Sequence, residues 1–227
     1  LNWGTSTRVP EHQFLDTKKE ILSLYTSFLD SKGDIWLGSI TDGLKSFNLK
    51  KKQLINYLDD SISRGMLNYT IRCITEDKQG YIWIGTAGNG LYRYDPGTKK
   101  FTHYQYDPKN INGISSSSIL SLMEDDKGNL WIGAQNGGLD ILDRSRKHFT
   151  HHKREEFNST TLTHNTTYDI FQDKNGIVWV GTLSGINFYN SDFNKFRLYK
   201  NIPNRNSLSN NIIKGMLEDK DNNIWIS

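Results

Sequence analysis

The stretch Glu124-Asp125-Asp126-Lys127-Gly128-Asn129-Leu130-Trp131-Ile132-Gly133-Ala134-Gln135-Asn136-Gly137-Gly138 decides the fold, because most of the chain consists of copies of it. Its kernel is an acidic residue, a tight turn, then Trp-x-Gly. An aspartate stands six residues before each of five tryptophans: Asp30 before Trp36, Asp77 before Trp83, Asp125 before Trp131, Asp173 before Trp179 and Asp219 before Trp225. Gly33, Gly80, Gly128 and Gly176 lie three before the tryptophan, with Asn222 in the last copy. Gly38, Gly85, Gly133 and Gly181 follow two after it, with Ser227 in the last. The tryptophans are spaced 47, 48, 48 and 46 residues apart. A period this regular marks a repeat architecture and has to be read before any local motif.

Each copy opens with a short apolar run that ends at the aspartate: Ile21 to Asp30, Ile71 to Asp77, Ile119 to Asp125, Thr167 to Asp173 and Ile213 to Asp219. These runs are short for helices and bounded by turn residues, so they predict strands. The Asp-x-x-Gly turn suits a tight hairpin, with the aspartate bonding forward to the backbone and the glycine taking positive φ. The second strand is Tyr81 to Thr86 and its counterparts, with bulky tryptophan on one face and small glycine allowing close approach on the other. After a glycine-rich turn comes a third strand of the form Gly90-Leu91-Tyr92-Arg93-Tyr94-Asp95, one residue early in the copy at Gly185. A fourth carries Phe101-Thr102-His103-Tyr104 or Phe149-Thr150-His151-His152. Polar linkers between units keep their own register: Met66, Ile114, Leu162 and Leu208 each stand 17 before the next tryptophan.

Four short antiparallel strands in about 47 residues form a sheet with two apolar faces that cannot bury itself. Radial stacking of such sheets is the β-propeller solution, and it predicts an all-β fold. The expected blades are about 21–58, 67–104, 115–153 and 163–199, with a partial one at 207–227. Residues 1–20 match poorly; Val9-Pro10 breaks the pattern, and Leu1-Asn2-Trp3 reads as the tail of a preceding unit. The chain starts at Leu1 and stops inside an expected strand, so the expectation is a piece of a larger ring. The alternative, that Leu1 to Leu15 completes the last blade, is disfavoured by the poor match.

Composition limits function. Of 227 residues, 35% are hydrophobic and 12% aromatic, which favours a core of few, large side chains. With 28 basic and 25 acidic residues and no basic block interleaved with aromatics, nucleic acid is not an expected partner. The run Lys50 to Lys52 reads as a solvated turn. Cys73 is the single cysteine, which excludes an internal disulfide, and reads as a small core residue. No apolar run approaches the roughly 18 residues that span a bilayer.

The unit Asp-x-x-Gly-x-Ile/Leu-Trp-Ile-Gly-Thr-x-x-x-Gly-Leu-x-x-Tyr-Asp, followed by a polar linker such as Asn206-Ser207-Leu208-Ser209-Asn210-Asn211, resembles the two-component regulator propeller repeat over about Ile21 to Ser227. The departures are Ser39 and Ala134 for threonine, the shortened loop at Leu183-Ser184, and Ser227 for glycine. The resemblance implies a seven-bladed ring in the periplasmic sensor region of a hybrid two-component histidine kinase, coupled through a membrane helix to a cytoplasmic kinase and so to transcription. Its implied partners are an oligosaccharide or other small ligand, the rest of the sensor-kinase chain and, as an option, a second copy in a homodimer. It implies no cofactor, and it transfers no binding residue because its motif is structural.

Strand alternation places the Asp-x-x-Gly turns on one face of the disc, and the glycine-rich turns and linkers on the other. Loops carry function, so the loop-rich face is the candidate ligand face. On it stand Asp42, Asn89, Gln135 and Asn136 from the turns, and Asn110, Asn112, Asn165 and Asn206 from the linkers. Amides beside aromatics suit sugar hydroxyls, although asparagine also simply builds turns. His148, His151 and His152 form the histidine cluster, but neighbours on a strand point to opposite faces, so His151 and His152 do not share a metal. Asp219-Lys220-Asp221-Asn222-Asn223 lacks the later ligands of a calcium loop and reads as the fifth turn. The sites Asn68, Asn158 and Asn165 fit the glycosylation pattern but are incidental in a bacterial protein. Glu76, Glu124 and Glu218 recur at equivalent places, which marks scaffold rather than catalysis. A non-enzymatic sensor region is therefore the preferred reading. A propeller-fold lyase or glycan-cleaving enzyme and a protein-docking scaffold stay as alternatives.

Overall fold

In the computed structural model, residues 23–57, 65, 66, 69–190 and 195–227 are described. The N-terminal segment 1–20 with Trp3 and Val9-Pro10, the Leu58 end of the first unit and the Asn68 site lie outside them. The described residues form four four-stranded antiparallel sheets and a two-stranded one, all simple meanders. The first is β1 (Leu24–Leu29), β2 (Asp34–Ser39), β3 (Leu44–Asn48) and β4 (Gln53–Asn56). The second is β5 (Ile71–Glu76), β6 (Ile82–Thr86), β7 (Leu91–Asp95) and β8 (Lys100–Tyr104). The third is β9 (Ile119–Glu124), β10 (Leu130–Ala134), β11 (Gly138–Leu142) and β12 (Phe149–His152). The fourth is β13 (Thr167–Gln172), β14 (Val178–Thr182), β15 (Gly185–Asn190) and β16 (Lys195–Tyr199), followed by β17 (Met216–Glu218) and β18 (Ile224–Ile226). First strands of consecutive sheets lie side by side. The sheets therefore converge at their first strands and fan outwards, as blades of a β-propeller do.

The repeated aspartate has two jobs, and only one was legible beforehand. The first strands stop one residue short of it, so it opens the turn rather than closing the strand. In the second blade Asp77 Oδ1 accepts the backbone N–H groups of Gln79 and Tyr81 at 3.1 and 3.0 Å. Its Oδ2 accepts the indole N–H of Trp83 at 2.7 Å. The indole bond recurs at 2.9 Å from Trp36 to Asp30, Trp131 to Asp125 and Trp179 to Asp173, and at 2.8 Å from Trp225 to Asp219. The six-residue spacing is thus the reach of one carboxylate across its own hairpin. Gly33, Gly80, Gly128 and Gly176 all have positive φ, and Asn222 takes φ 63° in their place, a conformation asparagine tolerates.

The Trp-x-Gly glycine is where the next blade arrives. A Cβ on Gly85 would stand 2.5 Å from Cys73 Sγ and 2.7 Å from Ile119 Cγ2 of the following blade. Gly38 is closed in the same way by Ile71, Gly133 by Thr167 and Gly181 by Ile213. A second tie crosses each seam: the residue ending a first strand reaches back to the preceding turn. Glu76 accepts from Ser31 N, Glu124 from Lys78 N and Glu218 from Lys174 N, and Gln172 accepts from Asp126 N. The repeated glutamates thus serve the scaffold, as their recurrence implied.

Burial of the tryptophans follows the stacking. Trp83, covered by the third blade, is 0% exposed, whereas Trp225 is 60% exposed. The three apolar clusters each combine residues of two consecutive blades. Fully burying one such indole removes about 150–250 Å² from water, an upper bound of roughly 4–6 kcal/mol per seam.

Two glycine substitutions separate these constraints. Gly85→Ala is expected to lower unfolding free energy by about 1–3 kcal/mol through overpacking. Gly33→Asn, with nothing within 4 Å of its Cβ, is expected to cost well under about 1 kcal/mol. Urea unfolding of both checks the order, and equal losses would contradict the seam account.

Candidate functional site

The glycine-rich turns and the linkers share one face. In the second blade, Gly88 and Gly90 donate to Ser117 O of the following linker at 3.1 and 2.7 Å. In the third, Gly138 donates to Asn165 O at 2.8 Å. Thr86 Oγ1 locks its turn by donating to Gly90 O at 2.9 Å, and Ser39 does the same with Gly43 O. Ala134 has no hydroxyl to offer, while the backbone bond of the following residue, Gln135 N to Ser118 O at 2.9 Å, recurs in the other blades as Ala87 N to Thr70 O and Ile40 N to Ser23 O.

Several candidates turn out to be occupied with the fold. Asn89 Nδ2 donates to Gly65 O and to Tyr92 Oη, each at 2.7 Å. Asn136 takes φ 59° and its Oδ1 accepts from Thr166 Oγ1 at 3.2 Å. Asn165 Oδ1 accepts from Arg154 N at 2.7 Å. Asn110 Oδ1 caps the N–H of Asn112 at 3.1 Å, Gln135 Oε1 accepts from Ser118 Oγ, and Asp42 Oδ1 accepts from Thr41 Oγ1. The structure brings Asn136 and Asn165 together through Thr166 and Gly138. The amide groups of Asn112 and Asn206 are exposed and have no partner among the described residues. Asn206 lines a groove of about 450 Å³ with Trp179, Leu198, Tyr199 and Ile202.

The histidines separate as alternation requires. His151 Nδ1 is 2.7 Å from Asp140 Oδ1, and its Nε2 is 3.0 Å from Ile111 O. The Asp140 hydrogen bond holds its pKa above the usual histidine value. His152 packs its ring edge-on to Phe196, and burial pushes its pKa down. Asp140 is itself fully buried and accepts Ser115 N and Oγ at 2.7 and 2.9 Å, so this acid pins a linker to its blade. Among the described residues no cluster of three His, Cys, Asp or Glu could hold a metal, and no helix is long and apolar enough to cross a membrane.

The inner strands hold the features that sequence reasoning missed. Each first strand of a complete blade carries a β-bulge. The residue just after it, at the equivalent place in each copy, is Thr26, Cys73, Ser121 or Asp169. Burial pushes the Cys73 thiol up to about 12, so it is no nucleophile at neutral pH. Asp169 is the one acid of this set. Its Oδ2 accepts Met216 N of the next strand pair at 2.6 Å and its Oδ1 accepts Ile170 N at 2.9 Å. Burial nevertheless raises its carboxyl to about 6. Beside the bulges, Arg72 lies over the Tyr25 ring at 5.5 Å. Only a count of which residue departs from its repeat equivalents could have found Asp169 beforehand.

Comparison with known proteins agrees with the geometry. A family model described as two component regulator propeller matches residues 65–88, 113–136, 161–184 and 207–227. The extracellular domain assigned to the hybrid two component system BT4673 of B. thetaiotaomicron is 28% identical with a TM-score of 0.71, covering 90% of this chain and 26% of its own. The corresponding domain of the system BT3049, also from B. thetaiotaomicron, is 23% identical, TM-score 0.62, over 89% of this chain and 32% of that one, and shows the fold. Virginiamycin B lyase from Staphylococcus aureus shares the fold at 15% identity and TM-score 0.68, over 92% of this chain and 64% of that one. The chain therefore spans about a quarter of the first of these structures. No curated protein sequence matches it.

The raised Asp169 carboxyl has a signed consequence. Between its unfolded value of about 3.9 and its folded value of about 6, the folded state holds a proton that the unfolded state has released. Its contribution to stability therefore falls as pH rises across that window and is constant above it. In urea unfolding from about pH 4 to 7, the stability difference between the native chain and Asp169→Asn should shift towards the variant as pH rises. Parallel curves would refute the assignment.

Proposed function

Because the chain is built from two-component regulator propeller repeats, we propose that it is a ligand-sensing segment in the periplasmic part of a hybrid two-component sensor histidine kinase. It detects an oligosaccharide and passes that signal across the membrane to control transcription. The observation that carries this reading is the match of the family model at four successive repeats, supported by likeness to an extracellular two-component domain over 90% of the chain. The segment is not itself an enzyme in this reading. The acids that recur are committed to turns and seams, and the lyase likeness, at 15% identity, extends to fold alone.

On the loop-rich face, Asn112 and Asn206 are the ligand contacts the reading favours, because their amides are free to pair with hydroxyls. Asp42, Asn89, Asn110, Gln135, Asn136 and Asn165 shape the loops that present them. Signal output requires differential affinity for two arrangements of the blades or of a dimer, since equal affinity shifts nothing.

A thermal-shift screen against an oligosaccharide panel, with product analysis of each mixture, tests the proposal. A ligand at about 100 times its dissociation constant adds roughly 2.7 kcal/mol, which raises the melting temperature by a few degrees for a chain this long. The expected result is a shift with the sugar recovered intact, reduced by Asn206→Ala. A cleaved sugar would replace the sensor with an enzyme, and silence across the panel would remove oligosaccharide as the ligand class.

A further inference from the structure

Two equivalent linkers are pinned to their blades by different chemistry. In the fourth blade Asn187 Oδ1 accepts Thr163 N at 3.1 Å and Thr163 Oγ1 at 2.7 Å. In the third, Asp140 Oδ2 accepts the same two groups of Ser115. A neutral amide therefore suffices for the pin, and the charge of Asp140 is open to another use. On the neighbouring strand Leu198 stands opposite Asn187, and His151 stands opposite Asp140. The corresponding pairs are Lys45 with Asn56 in the first blade and Tyr92 with His103 in the second. His103 Nε2 faces Asn89 O at 2.7 Å within its own blade, a contact that a neutral ring satisfies. Among the described blades, an acid meets a histidine at this place in the third alone.

His151 lies between two acceptors, Asp140 Oδ1 at Nδ1 and Ile111 O at Nε2. A carbonyl oxygen only accepts, and so does an ionised carboxylate. A neutral imidazole has one N–H, so one of the two contacts would set lone pair against lone pair. Both are hydrogen bonds only when the pair holds one proton more than an ionised carboxylate and a neutral ring carry together. The burial of Asp140 favours that proton, because a carboxylate out of water needs a cationic partner. Lys153, just beyond β12, opposes the extra charge, and His152 points to the other face of the strand. On the linker side the ring meets the Ile111 carbonyl, while Asp107 turns into its own loop to accept Lys109 N at 2.9 Å. The rest of this run also bonds to itself: Asn110 O accepts Gly113 N at 3.1 Å, and Asn110 Oδ1 accepts Asn112 N at 3.1 Å. Among the described residues, the His151 bond is what ties the run 107–113 to a blade.

We propose that Asp140 and His151 form a proton-operated latch, which holds the linker run 107–113 against the third blade and frees it when the shared proton leaves. Proton loss spares the inner bond: the Nδ1–H stays on the buried carboxylate, where a missing donor costs most. Nε2, on the more exposed side of the ring, is left with a lone pair facing Ile111 O. The two repel, and water takes over the carbonyl. Ser115 stays pinned through Asp140 Oδ2, so the freed run ends before it. Asn112 moves with that run, which makes the loop-rich face dependent on protons. The latch rests on the geometry of the blade and not on the sugar-sensing reading. Because the Asp140 bond holds the His151 pKa above the ordinary 6.5, the stabilisation is full below that value and is lost as pH rises through the folded one.

Imidazole and backbone NMR of the chain from about pH 5 to 9 tests the latch. The His151 ring should lose its proton at a midpoint above 6.5, with Nε2 the nitrogen left bare. The backbone resonances of Ile111, Asn112 and Gly113 should move with the same midpoint while those of Ser115 stay in place. His152, which burial pushes the other way, marks a separate and lower midpoint. Asp140→Asn copies the fourth blade, so Ser115 should remain pinned while the His151 midpoint falls. His151→Leu, which puts the fourth-blade residue at that place, should abolish the titration of Ile111. A native His151 midpoint at or below the ordinary histidine value overturns the proposal. So do Ile111 resonances that stay flat while His151 titrates, or that still titrate in His151→Leu. Should either variant fail to fold, the native titration decides the matter by itself.

Discussion

The carboxylate–indole bond inside each hairpin is the constraint on which the rest depends. Without it a tryptophan on a short strand could leave its N–H unpaired in an apolar seam, a cost of about 1–3 kcal/mol. With it, the polar edge of the ring is satisfied by its own blade and the whole apolar surface is available to neighbours. The same carboxylate closes the turn through its other oxygen. Turn geometry and core geometry are therefore fixed by a single residue. This explains why aspartate, which supplies two acceptor oxygens on a short arm, stands there in all five copies.

Stacking then needs a surface that a neighbouring strand can approach closely. The Trp-x-Gly glycine provides it, receiving Ile71, Ile119 or Thr167 from the next first strand, or Ile213 just before β17. The turn-to-strand bonds from Ser31, Lys78, Asp126 and Lys174 fix how far that approach goes. Because each blade buries its tryptophan only when the next one arrives, stability is shared along the array in a nearest-neighbour manner. Trp83, with the third blade stacked on it, is completely buried.

The fold was legible because its determinants repeat. Strand order, the two kinds of turn and the shortened loop before Gly185 all follow from spacing, and Asn222 at positive φ shows a substitution obeying the same backbone rule. The candidate site was far less legible. An asparagine in a polar linker reads the same whether it builds a turn or faces a ligand, and the Asn89 and Asn165 side chains both bond to the loops around them. The indole bond was missed because sequence spacing does not reveal which way a carboxylate's second oxygen points. Arg146 was missed because its partners Asp77 and Glu124 are 69 and 22 residues away and meet only once two blades are stacked.

These cases locate where individuality can reside in a repeat protein. Residues shared by every copy are committed to turns and seams, and altering them changes the array before it changes recognition. Function has to be written in the departures. At equivalent positions the chain places Thr26, Cys73, Ser121 and Asp169; along its seams it has glutamate at 124 and glutamine at 172. Each departure changes charge or hydrogen-bonding capacity at a place whose backbone geometry is already fixed by its neighbours, so the energetic effect is not dissipated by local relaxation. Single substitutions at such places can therefore alter recognition without new loops, because the repeat holds the surrounding backbone in place.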